Sequence, residues 1–248
     1  MNDIIQIPLL SLADMCRELA DLNGCRIINH EDKYITYANP GMFYGKNFIL
    51  DADENEIESI VKEIKDNLAK GMPGGISFTQ ERISDSIDRI MKENGFFKFI
   101  FQTGMVFDLD HGFPEIENED IHVIGPERIV DWCITNSEGF PKPREDHTFA
   151  ELVKSSNMIT YGYMHGQDIT STGMLLINSD LSGIHEISTL ADYRRQGQAT
   201  AIICTMLKEL KDRGIRRVSL QASEAGRKVY EGLGFEAVST IPTWVPVR

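Results

Sequence analysis

The sequence predicts a mixed α/β (α+β) protein. Strand-like and helix-like segments alternate along the whole chain. A strand meets a long amphipathic helix at a Gly-containing turn, Arg194 to Thr200. A polar, acidic stretch divides the chain near its middle.

The early elements follow from periodicity and punctuation. Leu9 to Leu22 has helical spacing, and Ile27–Ile28 and Tyr34–Tyr37 read as short strands. Asp53 to Lys70 reads as a helix: Asp53 can cap it, and Ile57, Ile60, Val61 and Ile64 recur on one face. KGMPGG at Lys70 to Gly75 breaks it, and Ile76–Phe78 is a strand. Ile83 to Asn94 reads as a helix stopped by Gly95, and Phe96 to Leu109 as a long strand.

HGFPEIENED, His111 to Asp120, is the linker candidate, giving expected domains of 1–115 and 116–248. After it, Ile121 to Ile124 is a strand, and a helix starts near Pro126 and runs to about Asn136. SEGFPKPRED reads as a loop and His147 to Lys154 as a short helix. Three strands follow, Met158–Met164, Thr172–Ile177 and Ile184–Leu190, joined by turn-forming segments. Ala199–Arg213 is a helix, Arg217–Gln221 a strand, Glu224–Leu233 a helix and Phe235–Val247 a terminal strand.

Composition narrows the function classes. Hydrophobic residues make up 42% of the 248, enough for a packed core. No apolar run reaches the ~18 residues of a membrane span, and the N-terminus lacks the basic start of a secretory signal. A net charge of −13 repels phosphate backbones, which argues against nucleic-acid binding. Cys16, Cys25, Cys133 and Cys204 form no CxxC pair, so reduced thiols and no metal site are expected, in a cytoplasmic protein.

The turn Arg194-Arg195-Gln196-Gly197-Gln198-Ala199-Thr200 carries the sharpest chemistry. Gly197 permits a tight turn and Ala199 a close backbone approach. The helix beyond it, with Ile202, Ile203, Met206, Leu207 and Leu210 on one side, aims free N–H groups into the turn. That makes an anion site suited to a pyrophosphate, to which Arg194 and Arg195 can add charge. An ordinary strand-to-helix connection gives the same local pattern.

R-x-x-G-x-A here resembles the Q/R-x-x-G-x-G/A signature of the GCN5-related N-acetyltransferases (GNAT). SEAGRKVYEGLGF, further on, is similar to the family's second signature. The resemblance spans about Ile121 to Arg248. It implies a mainly antiparallel GNAT sheet flanked by helices, acetyl-CoA as cosubstrate and a small-molecule amine acceptor. It also implies that backbone amides from Arg195 to Thr200 hold the pyrophosphate. The backbone of Ile187, Ser188 and Thr189 would pair with the pantetheine arm. Ser223 stands where the family often has Asn near that arm. Tyr230 would lie beside the CoA sulfur as general acid, since a phenol is protonated at neutral pH; packing between helix and sheet is the other explanation for it.

For the base, the strand Ile184 to Leu190 offers Glu186 and, as second choice, His185. Strict alternation puts these two on opposite faces, with Glu186 beside Ile184, Ser188 and Leu190. Glu186 can take the amine proton, attract a cationic amine, or form a structural ion pair. Met91 to Phe96 faintly repeats Tyr230 to Phe235, with Met91 in place of the tyrosine. The first lobe reads either as a degenerate GNAT-like half or as a chance likeness of helix, Gly-Phe and strand; in both cases no acyl-CoA site is expected in Met1 to Glu115. Two alternatives stay open: an acyltransferase using another acyl-CoA, and a non-catalytic acyl-CoA-binding module.

Overall fold

The computed structural model describes residues 3–31, 33–39, 45–116, 118–140, 148–179 and 181–247. The expected loop at 137–146 lies largely outside them, as does most of the glycine-containing stretch 37–45. The fold is mixed α/β, with mostly antiparallel strands flanked by helices. The chain forms two compact units. One holds 1–105, 221–227 and 237–248; the other holds 106–220 and 228–236.

In the first unit, α1 (Ile7–Leu22) precedes β1 (Ile27–His30), β2 (Tyr34–Tyr37) and β3 (Lys46–Ile49), which pair antiparallel in turn. β3 has no expectation in the sequence reading: KNFI is short and lacks alternation, and pairing on both sides makes it a strand. Helix α2 (Glu54–Leu68) then crosses to β4 (Gly75–Phe78), parallel to β3. Asp53 caps α2 by accepting from the N–H groups of Asn55 and Glu56, and Glu56 reaches back to the Asp53 N–H. The expected helix Ile83–Asn94 is shorter, α3 (Ile87–Glu93), because Ser84 and Ser86 hydrogen-bond each other just before it. α3 leads into the long strand β5 (Phe96–Asp108). The apolar faces of α2 and α3 share a core with Tyr34, Ile49, Ile76, Phe78 and Trp244.

In the second unit, β6 (Ile121–Val123), β7 (Met158–His165), β8 (Asp168–Leu176) and β9 (Gly183–Thr189) pair antiparallel in that order. Between β6 and β7 lies α4 (Ile129–Gly139), and the expected short helix at 147–154 is a 3-10 segment, Thr148–Lys154. After β9 come α5 (Gln198–Asp212), β10 (Arg217–Ala222), α6 (Arg227–Leu233) and β11 (Glu236–Pro246). α4 covers one face of the sheet: Trp132, fully buried, donates its indole N–H to Tyr161 O. α5 covers the other, where a Cβ on Gly173 would meet Met206 and Ile202.

The same series occurs twice: three antiparallel strands, a helix, a parallel strand, a short helix and a long strand. It runs from β1 to β5 and again from β7 to β11. Both short helices end at a glycine with positive φ, Gly95 (82°) and Gly234 (98°), each followed by a buried phenylalanine. This is the repeat hinted at by Met91–Phe96 and Tyr230–Phe235. The last strand of the second series, β11, lies almost wholly in the first unit, whereas β5 lies mostly in its own. β11 pairs with β4 through Thr243 and Ser77, and Leu109, just past β5, donates its N–H to Arg216 O before β10.

Candidate active site

The predicted turn forms where expected, in the second unit. A 3-10 turn, Ala191–Tyr193, leads into Arg194 and Arg195, and Gly197 starts α5 in the left-handed conformation at φ 81°. Arg195 also has positive φ, at 62°. No side chain caps α5, and its first turn holds no acidic residue. Its leading N–H groups, from Gln198, Ala199 and Thr200, have no partner within the helix. Arg195, Gln196 and Gly197 are exposed, and a Cβ on Gly197 would meet nothing within 4 Å. Gln198 is buried instead, its Oε1 accepting from Thr170 Oγ1 at 3.0 Å, which anchors the helix start to β8.

Arg194 works differently from Arg195. Its guanidinium donates to Thr189 O at 3.0 Å and to Gly139 O at 2.9 Å. It thereby ties the end of β9 to the end of α4, so much of its hydrogen-bonding capacity goes to the scaffold. Beside the turn is an open cleft of about 430 Å³, bordered by Arg128, Ile134, Thr170, Leu190 and Tyr193.

β9 separates from β10 early. Their parallel pairing is at Gly183 and Ser219 alone among the described residues. Ile187, Ser188 and Thr189 therefore continue without a strand on that side. Two of their carbonyls are already engaged: Ser188 O accepts from Ser171 Oγ at 2.6 Å, and Thr189 O from Arg194.

Strict alternation fails in β9, which corrects the expected facing of Glu186. The register steps from Thr172–Ser188 to Met174–His185, so Glu186 and Ile187 together oppose Gly173. This bulge turns Glu186 to φ 55°. Downstream of it the phase is shifted. Ser188 shares a face with His185, and its Oγ lies 2.9 Å from Thr172 Oγ1, whereas Ile187 packs toward α5 near Gly173. Ser188 and Ile184 are on opposite faces, contrary to the alternation. Glu186 is half-buried and His185 buried.

Tyr230 lies in α6, half-buried, its ring edge-on to Phe235 with centroids 5.8 Å apart. Burial pushes its phenol well above the ordinary value, so it stays protonated at neutral pH. Ser223 falls in the first unit, exposed, where its Oγ accepts from the Gly226 N–H at 3.2 Å.

Residues absent from the sequence reading surround the bulge. Asn136 on α4 donates from Nδ2 to Glu186 O and to Thr172 Oγ1, both at 2.9 Å. Gly139 lets α4 close on β9, since a Cβ there would stand 2.5 Å from Ser188 Oγ. The available sequence signal was Thr170-Ser171-Thr172, a run of hydroxyls inside an otherwise apolar strand.

The corresponding place in the first unit is closed. β3 and β4 pair at four successive positions, Lys46 to Ile49 against Gly75 to Phe78. The start of α2 is filled by the Asp53 carboxylate and flanked by Glu54 and Glu56. Met91, fully buried, stands at the position of Tyr230.

Solved structures share this architecture over nearly the whole chain. A GCN5-related N-acetyltransferase from Kribbella flavida superposes with a TM-score of 0.67 at 12% identity, covering 94% of this chain and 95% of that one. A functionally unknown conserved protein from Staphylococcus epidermidis gives 0.66 at 16% identity, with 90% and 94% covered. A GCN5-related N-acetyltransferase from Sphaerobacter thermophilus gives 0.60 at 13%, with 98% and 93% covered. The fold is thus that of an acetyltransferase-like α/β protein. No curated protein sequence matches the chain. Residues 120–242 match the family profile described as an acetyltransferase (GNAT) domain, and the C-terminal half of the chain belongs to the GCN5-related N-acetyltransferase family.

Proposed function

We propose that the second unit is an acetyl-CoA-dependent N-acetyltransferase that moves the acetyl group directly to the amine of a small acceptor. One observation carries the reading: an uncapped, exposed helix start at Gly197 lies one short turn after a strand, β9, whose far side has no strand partner beyond Gly183 among the described residues. The first feature suits a pyrophosphate, and the second suits an extended amide chain that hydrogen-bonds as an added strand. Arg195 adds positive charge beside the turn, while Arg194 holds its shape.

In this reading the amine nitrogen attacks the thioester carbon, the C–S bond breaks, and the thiolate takes a proton from Tyr230. The amine gives up a proton to Glu186, directly or through water. An alkylamine needs such help, since only about one in a few thousand is free base at neutral pH. In this reading the described residues of the first unit offer no acyl-CoA site. Its parallel strands stay paired, its helix start is capped by carboxylates, and it has methionine in place of the acid.

The test is incubation of the full chain with acetyl-CoA and a panel of amines, following free thiol and acetylated product by mass. Transfer to at least one amine, with one CoA bound per chain, is the expected result. Binding without transfer to any amine favours the non-catalytic acyl-CoA-binding alternative. Faster transfer from a longer acyl-CoA favours the other. Absence of CoA binding sinks the proposal.

A further inference from the structure

The cleft beside the anion turn holds charged groups that take no part in the acetyl transfer proposed above. Ile134 of α4, Ile169 of β8 and Leu190 at the end of β9 give its 430 Å³ an apolar floor, and Tyr193 lines one side. The Tyr193 ring leans on His165, with centroids 5.4 Å apart. Ile134 is 49% exposed, so an apolar occupant would take it out of water.

Opposite charges line the same cleft. Arg128 is braced twice: Nε donates to Asp131 Oδ2 and Nη2 to Gln167 O, both at 2.9 Å. Its Nη1 group pairs with none of the described residues, so two donors are left over. Asp168, the residue after Gln167, is exposed, and its carboxylate has no hydrogen-bond or ion-pair partner among the described residues. These charges select the occupant. A bare anion meets two carboxylates, Asp131 and Asp168, against one guanidinium. A bare cation faces the braced guanidinium. A molecule with both charges gives a carboxylate to Arg128 and an ammonium to Asp168, each in a charge-assisted hydrogen bond. The floor then takes its apolar part.

We propose that this cleft binds a free α-amino acid with an aliphatic side chain, its carboxylate on Arg128 and its ammonium on Asp168. The site is separate from that of the acceptor. Asp168 lies five residues before Gly173, which faces Glu186 across the bulge, or about 16 Å along the strand. The ammonium held by Asp168 is therefore out of reach of Glu186. Binding needs no CoA, so the proposal stands or falls apart from the acetyltransferase reading.

The experiment is calorimetric titration of the full chain with L-leucine, without CoA. Leucine is expected to bind at one site per chain. Two analogues of similar shape each remove one charge: isocaproate lacks the ammonium, and leucinamide lacks the carboxylate. Each should bind at least about tenfold more weakly, the loss of one charge-assisted hydrogen bond. Arg128→Met keeps an apolar stem, and Asp168→Asn keeps size at an exposed position; each should weaken leucine by a similar factor. The analogue series runs on the wild type, so the test holds even if Arg128→Met does not fold. Absence of leucine binding at about 10 mM overturns the proposal. So does an analogue that binds as well as leucine, or wild-type affinity in both variants. Displacement of leucine by CoA would assign the cleft to the cosubstrate and overturn it too.

Discussion

Gly173 and Met206 meet so closely that a Cβ on Gly173 would lie 2.6 Å from Met206 Cε, with Ile202 Cγ2 at 2.7 Å and Ile187 Cδ1 at 2.8 Å. The glycine lets α5 and the β9 bulge close on the same point of β8. Gly173→Ala therefore overpacks that point and should lower stability by about 1–3 kcal/mol. Urea unfolding measures it. A variant as stable as the wild type would mean that Met206 and Ile187 yield freely and that the contact does not fix the bulge.

Gly197 tests the anion site. A Cβ there meets nothing, so a side chain has room, but φ 81° is strained for any L residue. Gly197→Ala carries only the strain, about 1–2 kcal/mol. Gly197→Glu adds a negative charge where the pyrophosphate is expected. Calorimetry should find CoA affinity reduced modestly in the first and abolished in the second. Equal affinities for the two variants would move the pyrophosphate elsewhere.

Tyr230→Phe keeps the edge-on contact with Phe235 and removes the proton donor. As general acid, Tyr230 is worth about 10²–10⁴-fold in kcat, with CoA affinity little changed. Its phenol is raised by burial, so the sign is clear: the proton is held to higher pH than in free tyrosine. The wild-type rate should then show no loss of the acid before about pH 10, the ordinary phenol value. An unchanged kcat in the variant, or an alkaline fall well below that pH, removes Tyr230 from the chemistry.

Glu186→Gln separates three roles. A base lost from this position lowers kcat more than it raises KM; a lost charge partner for a cationic amine raises KM and leaves kcat. A structural ion pair would leave both constants and lower Tm. The base role is expected, with wild-type kcat rising with pH to a plateau that the variant lacks. Steady-state kinetics and a thermal melt on this one variant decide among the three.

Local order along the chain determined the turn, the long helix and the class. Gly197 between a strand and the apolar stripe of Ile202, Ile203, Met206, Leu207 and Leu210 is contiguous, so neighbouring residues alone specify an uncapped helix start. Likewise Asp53 and Glu56, three apart, announce the start of α2. Only the tertiary structure decided what the site strand presents. The phase of β9 depends on Gly173 across the sheet, and the conformation of Glu186 on Asn136, fifty residues away. Arg194 reads from the sequence as a phosphate ligand, and its partner Gly139 is fifty-five residues distant. The place of β11 in the first unit is likewise invisible in the strand itself, since it has the pattern of a strand whichever partner it takes. Periodicity and capping are encoded between residues a turn apart. A bulge, or the unit a strand joins, is set by hydrogen bonds and close contacts between segments that meet only when the chain packs.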